Sequence, residues 1–330
     1  MKKAKLIALL LCVVMVAAFA ATPAFAANDY SYCVHDASTY CDEAMEMFAK
    51  LLNERSDGRF NATSYTPGTM GNETELLESV LMGDMTFSTP ADTLIFQSLN
   101  LYDWASLPGL VTSVEEAQKY ILSPDGFMGQ MMNEEFYFDG AGVVRLAGMD
   151  NGFRVIASKK PVETLKDIQD LKTRVANVPL MKGLYDGAGV QSTIVDSSEV
   201  MTALQQGTVD AVENSFFNLA TRGFIDMCPY VLAINFIYSS RSIICNAEWF
   251  DALSAEDQEL VRQCAQEAAD WANEQTLAEY EQYVNDERWT VYELSDEQYE
   301  VFQASAEKLW EGARKDCDPA ILDALTAGKE

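Results

Sequence analysis

The stretch GMDNGFRVIASKKPVETLKDIQDLKTRVANVPLMKGLYDGAGVQSTIVDSSEVMTALQQGTVDAVEN, residues 148–214, organises the rest of this chain. Two arginines in it lie beside short runs of β-forming residues: Arg154 precedes Val-Ile-Ala, and Arg174 precedes Val175. Turn or helix signals bound each run, as is typical of strands. We therefore expect each guanidinium group at a strand end that faces a cleft.

Helical segments separate these strands. Pro161 forces an extended residue before it and leads into a short helix, and residues 179–186 form a further helical span. In the next helix the side chain of Asp196 or Ser197 accepts the first backbone N–H groups, and Gly207 ends the helix. Alternation of strands and helices predicts an α/β fold.

The order of these motifs resembles the substrate-binding proteins of TRAP transporters, the DctP-type family. The matching segments are Gly-Phe-Arg at 152–154, Lys-Pro-Val at 160–162, Asp-Leu-Lys-x-Arg-Val at 170–175 and Glu-Val-x-x-Ala-Leu-Gln-Gln-Gly-x-Val-Asp-x-x-Glu-Asn at 199–214. The resemblance implies that Arg174 binds a substrate carboxylate, that Arg154 assists, and that Asn214 completes the anion site. It also implies a small organic acid as ligand and a TRAP membrane permease as partner.

Four further residues complete the predicted substrate site: His35, Ser88, Thr89 and Phe216. His35, the only histidine, lies in the first strand-to-helix loop, and ligands of open α/β sheets collect at the carboxyl ends of strands. An ordinary loop histidine is the alternative. Ser88 and Thr89 follow the third strand and match a ligand-facing loop of the family. Their alternative role is to form a turn that caps the segment after Pro90.

The first 26 residues have the features of a secretory signal peptide. Three lysines precede an apolar run from Leu6 to Ala21, and small residues occupy the positions before a cut after Ala26. A membrane anchor is the alternative, but the run is shorter than the roughly 20 residues that span a bilayer. We therefore predict a periplasmic protein without its first 26 residues.

The chain is strongly acidic, with 51 Asp and Glu against 23 Lys and Arg, and its formal net charge is −28. Nucleic acid is excluded as a partner, because its binding depends on basic patches that neutralise phosphates. The same charge repels organic anions at long range, but salt screens that field over about 8 Å. Local arginines, and not long-range attraction, must therefore bind the ligand.

Length predicts two lobes, and the resemblance implies the type II-like plan of periplasmic binding proteins. We assign residues 27–150 and about 240–280 to lobe I, and residues 151–239 and about 281–330 to lobe II. Residues 255–286 contain no Gly or Pro, and a helix of that length extends about 48 Å, enough to span both lobes. A coiled coil is the rival interpretation, but its apolar stripe lacks sustained leucines.

Six cysteines follow residue 26: Cys33, Cys41, Cys228, Cys245, Cys264 and Cys317. An even number in an exported protein permits disulfides, and Cys33 with Cys41 is the closest pair in sequence. Buried free thiols that pack as small hydrophobic groups are the alternative.

The sequence contains no recognisable catalytic or cofactor motif. The chain has one histidine and contains no Gly-x-Ser-x-Gly elbow, Walker loop, His-Glu-x-x-His motif or Cys/His cluster with metal spacing. We therefore predict a monomeric binding protein that is not an enzyme and uses no cofactor or metal. A ligand-binding component of an ABC transporter, or of a membrane sensor with the same fold, is the alternative function.

Overall fold

The structure, a computed structural model, describes residues 29–33, 40–65 and 68–327. The predicted signal peptide and His35 lie outside the described residues. Strands and helices form two lobes, which confirms the predicted α/β fold class. In lobe I the elements are β1 (Asp29–Cys33), α1 (Cys41–Arg55), β2 (Asn61–Tyr65), α2 (Glu73–Met82), β3 (Phe87–Ser88), α3 (Asp92–Ser98), α4 (Val114–Ala117) and α5 (Phe127–Asn133).

The second half of the chain builds lobe II, the elements that connect the lobes, and further parts of lobe I. In order they are β4 (Val143–Ser158), α6 (Leu165–Gln169), β5 (Lys172–Val175), α7 (Pro179–Gly187), β6 (Gln191–Ile194), α8 (Val200–Gln205), β7 (Ala211–Ser215), α9 (Phe216–Thr221), β8 (Tyr230–Ala233), β9 (Tyr238–Asn246), α10 (Ala247–Asp251), α11 (Ala255–Val284), β10 (Thr290–Glu293), α12 (Asp296–Asp316) and α13 (Pro319–Ala327).

The strand order is β2-β1-β3-β9-β4-β7-β5-β6, with β8 paired to β4 and to β10. In lobe I, β1 is parallel to β2 and β3, and β3 is antiparallel to β9. In lobe II, β5 is parallel to β6 and β7, and β7 is antiparallel to the end of β4. The carboxyl ends of the parallel strands in each lobe are where open α/β sheets bind ligands.

Strand β4 joins the two lobes. Its first part, through Phe153, pairs with β9, and its last part, from Arg154, pairs with β7. The register shifts between Asp150 and Gly152, where Gly152 has φ 80°, a conformation that favours glycine. The carboxylate of Asp150 accepts a hydrogen bond of 2.7 Å from the Gly152 N–H. β4 is thus irregular close to the point where it passes from pairing with β9 to pairing with β7.

Helix α11 confirms the prediction of a long helix that spans both lobes. Its 30 residues extend about 45 Å. Small residues, among them Ala265 and Ala269, let it lie close to the core of lobe I. Near its end, Tyr280 and Val284 pack against the apolar cluster of lobe II that contains Phe216.

The assignment of residues 281–330 to lobe II stays a prediction, although the C-terminal segment packs against both lobes. We assigned the whole of residues 281–330 to lobe II, and the first half of α12 does pack there through Phe302. The chain then returns to lobe I, where Cys317, Leu322 and Leu325 are buried in its core beside Trp104. The position where the chain returns to lobe I cannot be read from sequence length, because α12 is itself long enough to contact both lobes.

Four of the cysteines are buried free thiols: Cys228, Cys245, Cys264 and Cys317. Burial raises the pKa of Cys228 to about 12 and that of Cys317 to about 11, so both thiols are protonated at neutral pH. They pack as small hydrophobic groups, as one of the two alternatives predicted. The Cys33–Cys41 pairing stays a prediction, because the side chain of Cys33 lies outside the described residues.

Two carboxyl groups lie beside Trp104 in lobe I, Asp103 buried and Glu135 half-buried. Burial raises the pKa of Asp103 to about 7, and the Asp103 Oδ2 atom has no hydrogen-bond partner among the described residues. Burial likewise raises the pKa of Glu135 to about 7, although Glu135 accepts a 2.8 Å hydrogen bond from the Trp104 indole. Both groups therefore hold protons in the folded protein at pH values where the unfolded chain has lost them.

We expect the free energy of unfolding to be larger at pH 5 than at pH 8. A carboxyl group with a raised pKa stabilises the fold below its unfolded pKa, and that stabilisation is lost as pH rises through the folded pKa. For Asp103 the loss between pH 5 and pH 8 is roughly 2 to 3 kcal/mol, at about 1.4 kcal/mol per pH unit. Urea unfolding at the two pH values measures it. Asp103→Asn should flatten the slope, and equal stability of the wild-type protein at both values would contradict the assignment.

Candidate functional site

A cleft of about 160 Å³ lies between the lobes, beside the irregular point of β4. Its floor comes from β4 and β9, and its walls come from the starts of α2 and α3 in lobe I and from the ends of β5 and β7 in lobe II. The polar and charged side chains that line it include Glu73, Gln97, Asn151, Arg154, Arg174, Asn177, Asn214, Asn218, Arg222, Ser239 and Arg241. Three of the seven predicted site residues, Arg154, Arg174 and Asn214, are therefore brought together.

The sheet of lobe II explains why these three meet. Arg174 in β5 is in register with Val212 of the parallel strand β7. Asn214 of β7 is in register with Val155 of β4, next to Arg154. Three adjacent strands thus place one side chain each at the same edge of the sheet.

Arg154 is only 7% exposed and is paired within the protein. Its Nε and Nη2 atoms donate to the two carboxylate oxygens of Glu213, and its Nη1 atom donates to the Ser239 hydroxyl at 2.9 Å. Burial lowers the pKa of Arg154, but the negative charge of Glu213 outweighs that effect and raises it. This geometry changes the role that we assign to Arg154, from binding ligand oxygens to forming the charged base of the site with Glu213.

Arg174 is 4% exposed and is held by backbone carbonyls. Its Nε atom donates to the carbonyl of Val195 at 2.9 Å, and its Nη1 atom donates to the carbonyl of Glu213 at 3.1 Å. No carboxylate of the described residues forms an ion pair with it, and none of them accepts a hydrogen bond from its Nη2 atom. Burial lowers the pKa of Arg174 to about 10, so the group stays charged at neutral pH.

Asn214 belongs to a group of side-chain amides on the cleft surface. Its Oδ1 atom accepts from the Ser215 N–H at 2.8 Å and from the Asn218 side chain at 3.4 Å. Asn218 also donates to the Asn151 side chain at 2.8 Å. Since the oxygen of Asn214 is engaged, its Nδ2 atom is the group that can donate to a ligand. Sequence analysis missed Asn151 and Asn218, although both lie in or next to the quoted stretch.

Three predicted site residues lie elsewhere. Phe216 is buried in the core of lobe II, where its ring packs against Trp289 at 5.4 Å between centroids. It fails as a cleft residue because it begins α9, which turns its side chain into the apolar cluster. Ser88 and Thr89 are buried in lobe I and do not line the cleft. Only the Thr89 carbonyl is linked to the site, because it accepts a 2.7 Å hydrogen bond from Arg241.

An ion pair on the lobe I side was missed altogether. The Nη1 atom of Arg241 in β9 lies 3.0 Å from the Oε1 atom of Glu73, and that oxygen also accepts a 2.7 Å hydrogen bond from the Ala91 N–H. Asn72 begins α2 with a capping box, which fixes Glu73 in the first helical turn. The sequence does contain a signal for this pair. Arg241 directly precedes the apolar run Ser242-Ile-Ile-Cys of a short strand, and an arginine that is buried needs a partner.

Gln97 joins the two walls of the cleft. Its Nε2 atom donates a 2.6 Å hydrogen bond to the carbonyl of Asn177, which follows β5 in lobe II. This bond crosses from one lobe to the other, so it stabilises an arrangement in which the lobes are in contact.

The described residues contain no group of His, Cys, Asp and Glu with the geometry to hold a metal ion. Within the same residues, no helix has both the length and the apolar character that crossing a bilayer requires.

Comparisons with known proteins agree on one family. The family model of bacterial extracellular solute-binding proteins, family 7 (DctP), matches residues 30–316. A solute-binding protein of Verminephrobacter eiseniae is 32% identical over 231 residues, 68% of this chain and 66% of that protein. The 2,3-diketo-L-gulonate-binding periplasmic protein YiaO of Escherichia coli is 28% identical over 74% of this chain and 73% of its own length.

Solved structures share the fold. A TRAP periplasmic solute-binding protein of Desulfovibrio desulfuricans, solved with bound sn-glycerol-3-phosphate, superposes with a TM-score of 0.82. The alignment covers 92% of this chain and 98% of that one at 21% sequence identity. This likeness confirms the two-lobed α/β architecture.

Proposed function

Since this chain belongs to family 7 of the bacterial extracellular solute-binding proteins, we propose that it captures a small organic acid in the cleft and delivers it to a TRAP-type membrane permease. One observation supports a carboxylic acid as the ligand. Arg174 is a buried guanidinium group whose hydrogen-bond partners among the described residues are backbone carbonyls. A buried charge is stable only when it is paired, and a ligand carboxylate supplies the missing partner.

The proposed binding geometry follows from the atoms that remain available. The two carbonyl bonds fix the plane of the Arg174 guanidinium group, so its outer nitrogens are oriented before the ligand arrives. A carboxylate accepts two parallel hydrogen bonds from such a fork. The Asn214 amide donates to a remaining ligand oxygen, and the Arg154–Glu213 pair holds the floor in place.

Closure of the lobes completes the capture. Water leaves as the walls approach, which lowers the local dielectric and strengthens the charged hydrogen bonds. Hinge closure is the usual motion of periplasmic binding proteins. The irregular point of β4 supplies the bend, and the hydrogen bond from Gln97 to Asn177 joins the walls.

The cellular context of the proposal comes from the family and the N-terminus. Family 7 proteins are extracellular, and the first 26 residues have the features of a cleavable signal peptide. In this proposal the chain acts outside the cytoplasm as a monomer, and the permease uses an ion gradient and not ATP. The relative YiaO is named for binding a sugar acid, which supports the ligand class proposed here.

A thermal-shift screen of the purified protein against organic acids tests this function. We expect at least one acid to raise the melting temperature with increasing concentration, because a ligand present at 100 times its Kd stabilises the folded state by about 2.7 kcal/mol. Mass spectrometry should recover that acid unchanged. Stabilisation by neutral saccharides alone, or conversion of the acid, would overturn the proposal.

A further inference from the structure

We infer that the cleft selects acids with a single negative charge and rejects dicarboxylates, and that Glu73 is the residue that sets this preference. The inference rests on the proposed function and deepens it. It comes from the balance of buried charges in the cleft.

Three guanidinium groups of the cleft are at least nine-tenths buried: Arg154, Arg174 and Arg241. Glu213 pairs with Arg154, and Glu73 pairs with Arg241. Among the described residues, Arg174 alone of the three has no carboxylate partner. The buried part of the cleft therefore carries one positive charge that the protein itself does not compensate, and a ligand with one negative charge balances it.

The rim of the cleft carries one positive charge, on Arg222, and one negative charge, on Asp196. Together they change the charge balance of the buried part of the cleft little. Arg222 is half-buried, and it donates to the Ser197 hydroxyl at 2.7 Å and to the Ser197 carbonyl at 3.1 Å. Asp196 is exposed. Solvent and salt screen charges at such positions much more than charges in the closed interior.

The wall opposite Arg174 does not suit a second carboxylate. The Glu73 side chain is 21% exposed, and its charge would face the added group as the lobes close. Like charges brought together at a desolvated site cost several kcal/mol, and an ionised carboxylate without a partner is expensive to bury. Arg241 does not relieve this cost, because its own charge is balanced by Glu73.

The remaining polar lining suits neutral hydrogen-bonding groups. Thr74, Thr93 and Gln97 line the lobe I side, and the amides of Asn151 and Asn218 line the other. These side chains bind hydroxyl and oxo groups without adding charge. The ligand class is therefore a monocarboxylic acid with hydroxyl or oxo substituents.

Matched acids of equal chain length test the preference. Isothermal titration of the purified protein should use 4-hydroxybutyrate against succinate, and D-gluconate against D-glucarate. In any pair that binds, we expect the monocarboxylate to bind at least about tenfold more tightly, in line with the cost of like-charge contact. A dicarboxylate that binds as tightly or more tightly overturns the inference alone. If no acid of any kind binds, the proposed function fails and the inference fails with it.

The variant Glu73→Gln tests the assigned residue. It keeps the side-chain oxygen that accepts from the Ala91 N–H but removes the negative charge, so the charge of Arg241 becomes available to a second carboxylate. We expect dicarboxylate affinity to rise about tenfold or more relative to the matched monocarboxylate. Glu78→Gln is the matched control, because Glu78 is exposed on the same helix and away from the cleft. An unchanged preference in folded Glu73→Gln protein would refute the role of Glu73.

Discussion

Replacing Arg174 with lysine should weaken ligand binding by about 30-fold to several thousand-fold, although the positive charge is kept. The lysine ammonium cannot present two parallel donors to a carboxylate, and it cannot also reach the carbonyls of Val195 and Glu213. Losing one partner of a desolvated charge pair costs roughly 2 to 5 kcal/mol, which corresponds to that range of affinity. Isothermal titration with the acid found in the thermal-shift screen measures the change.

Arg55→Lys is the matched control for this substitution. Arg55 lies on the surface of lobe I, where it forms an exposed ion pair with Glu267 at 2.8 Å. The control should bind the acid as the wild-type protein does. The melting temperature of each variant without ligand separates a loss of binding from a loss of folding. Unchanged affinity in folded Arg174→Lys protein would remove Arg174 from the site.

Sequence order and spacing predicted the part of the candidate site that one lobe builds. Arg174, Arg154 and Asn214 come from three strands of lobe II that follow one another closely along the chain and lie side by side in the sheet. The resemblance to the TRAP substrate-binding proteins, stated from these motifs, is confirmed by the family model. Local patterns suffice here because neighbouring strands of one lobe fix the relative positions of their end residues.

The same sequence patterns could not predict contacts between residues that only long-range packing brings together. Glu73 and Arg241 meet only because β9 returns from lobe II to lie beside β3. The pairing of Arg154 with Glu213 was equally hidden, since nothing in the motifs shows that the charge of Arg154 is balanced inside the protein. Phe216 was misplaced for a related reason: Asn214 lies in β7, whereas Phe216, two residues later, begins α9, and the change from strand to helix directs its side chain into the apolar cluster.

Glu213→Gln should destabilise the folded protein by roughly 3 to 5 kcal/mol, the usual effect of leaving a buried charge without its partner. The carboxylate of Glu213 is fully buried, and it accepts hydrogen bonds from two nitrogens of Arg154 and, at 3.4 Å, from the Ala176 N–H. Glutamine has nearly the same shape but no charge, so the guanidinium group of Arg154 stays buried and uncompensated. Urea unfolding at pH 7 without ligand measures the loss.

The double variant Arg154→Met/Glu213→Leu tests whether this ion pair contributes to stability or to the geometry of the site. Replacing both partners with apolar side chains of similar volume removes the desolvation cost together with the attraction, so the double variant should be more stable than Glu213→Gln. Glu267→Gln, which breaks the exposed pair with Arg55, is the matched control and should change stability little. If the double variant is less stable than the wild-type protein, the pair is a net source of stability. If it is more stable yet binds acids weakly, the pair is retained because it holds β4 and β7 in the geometry that orients Arg174.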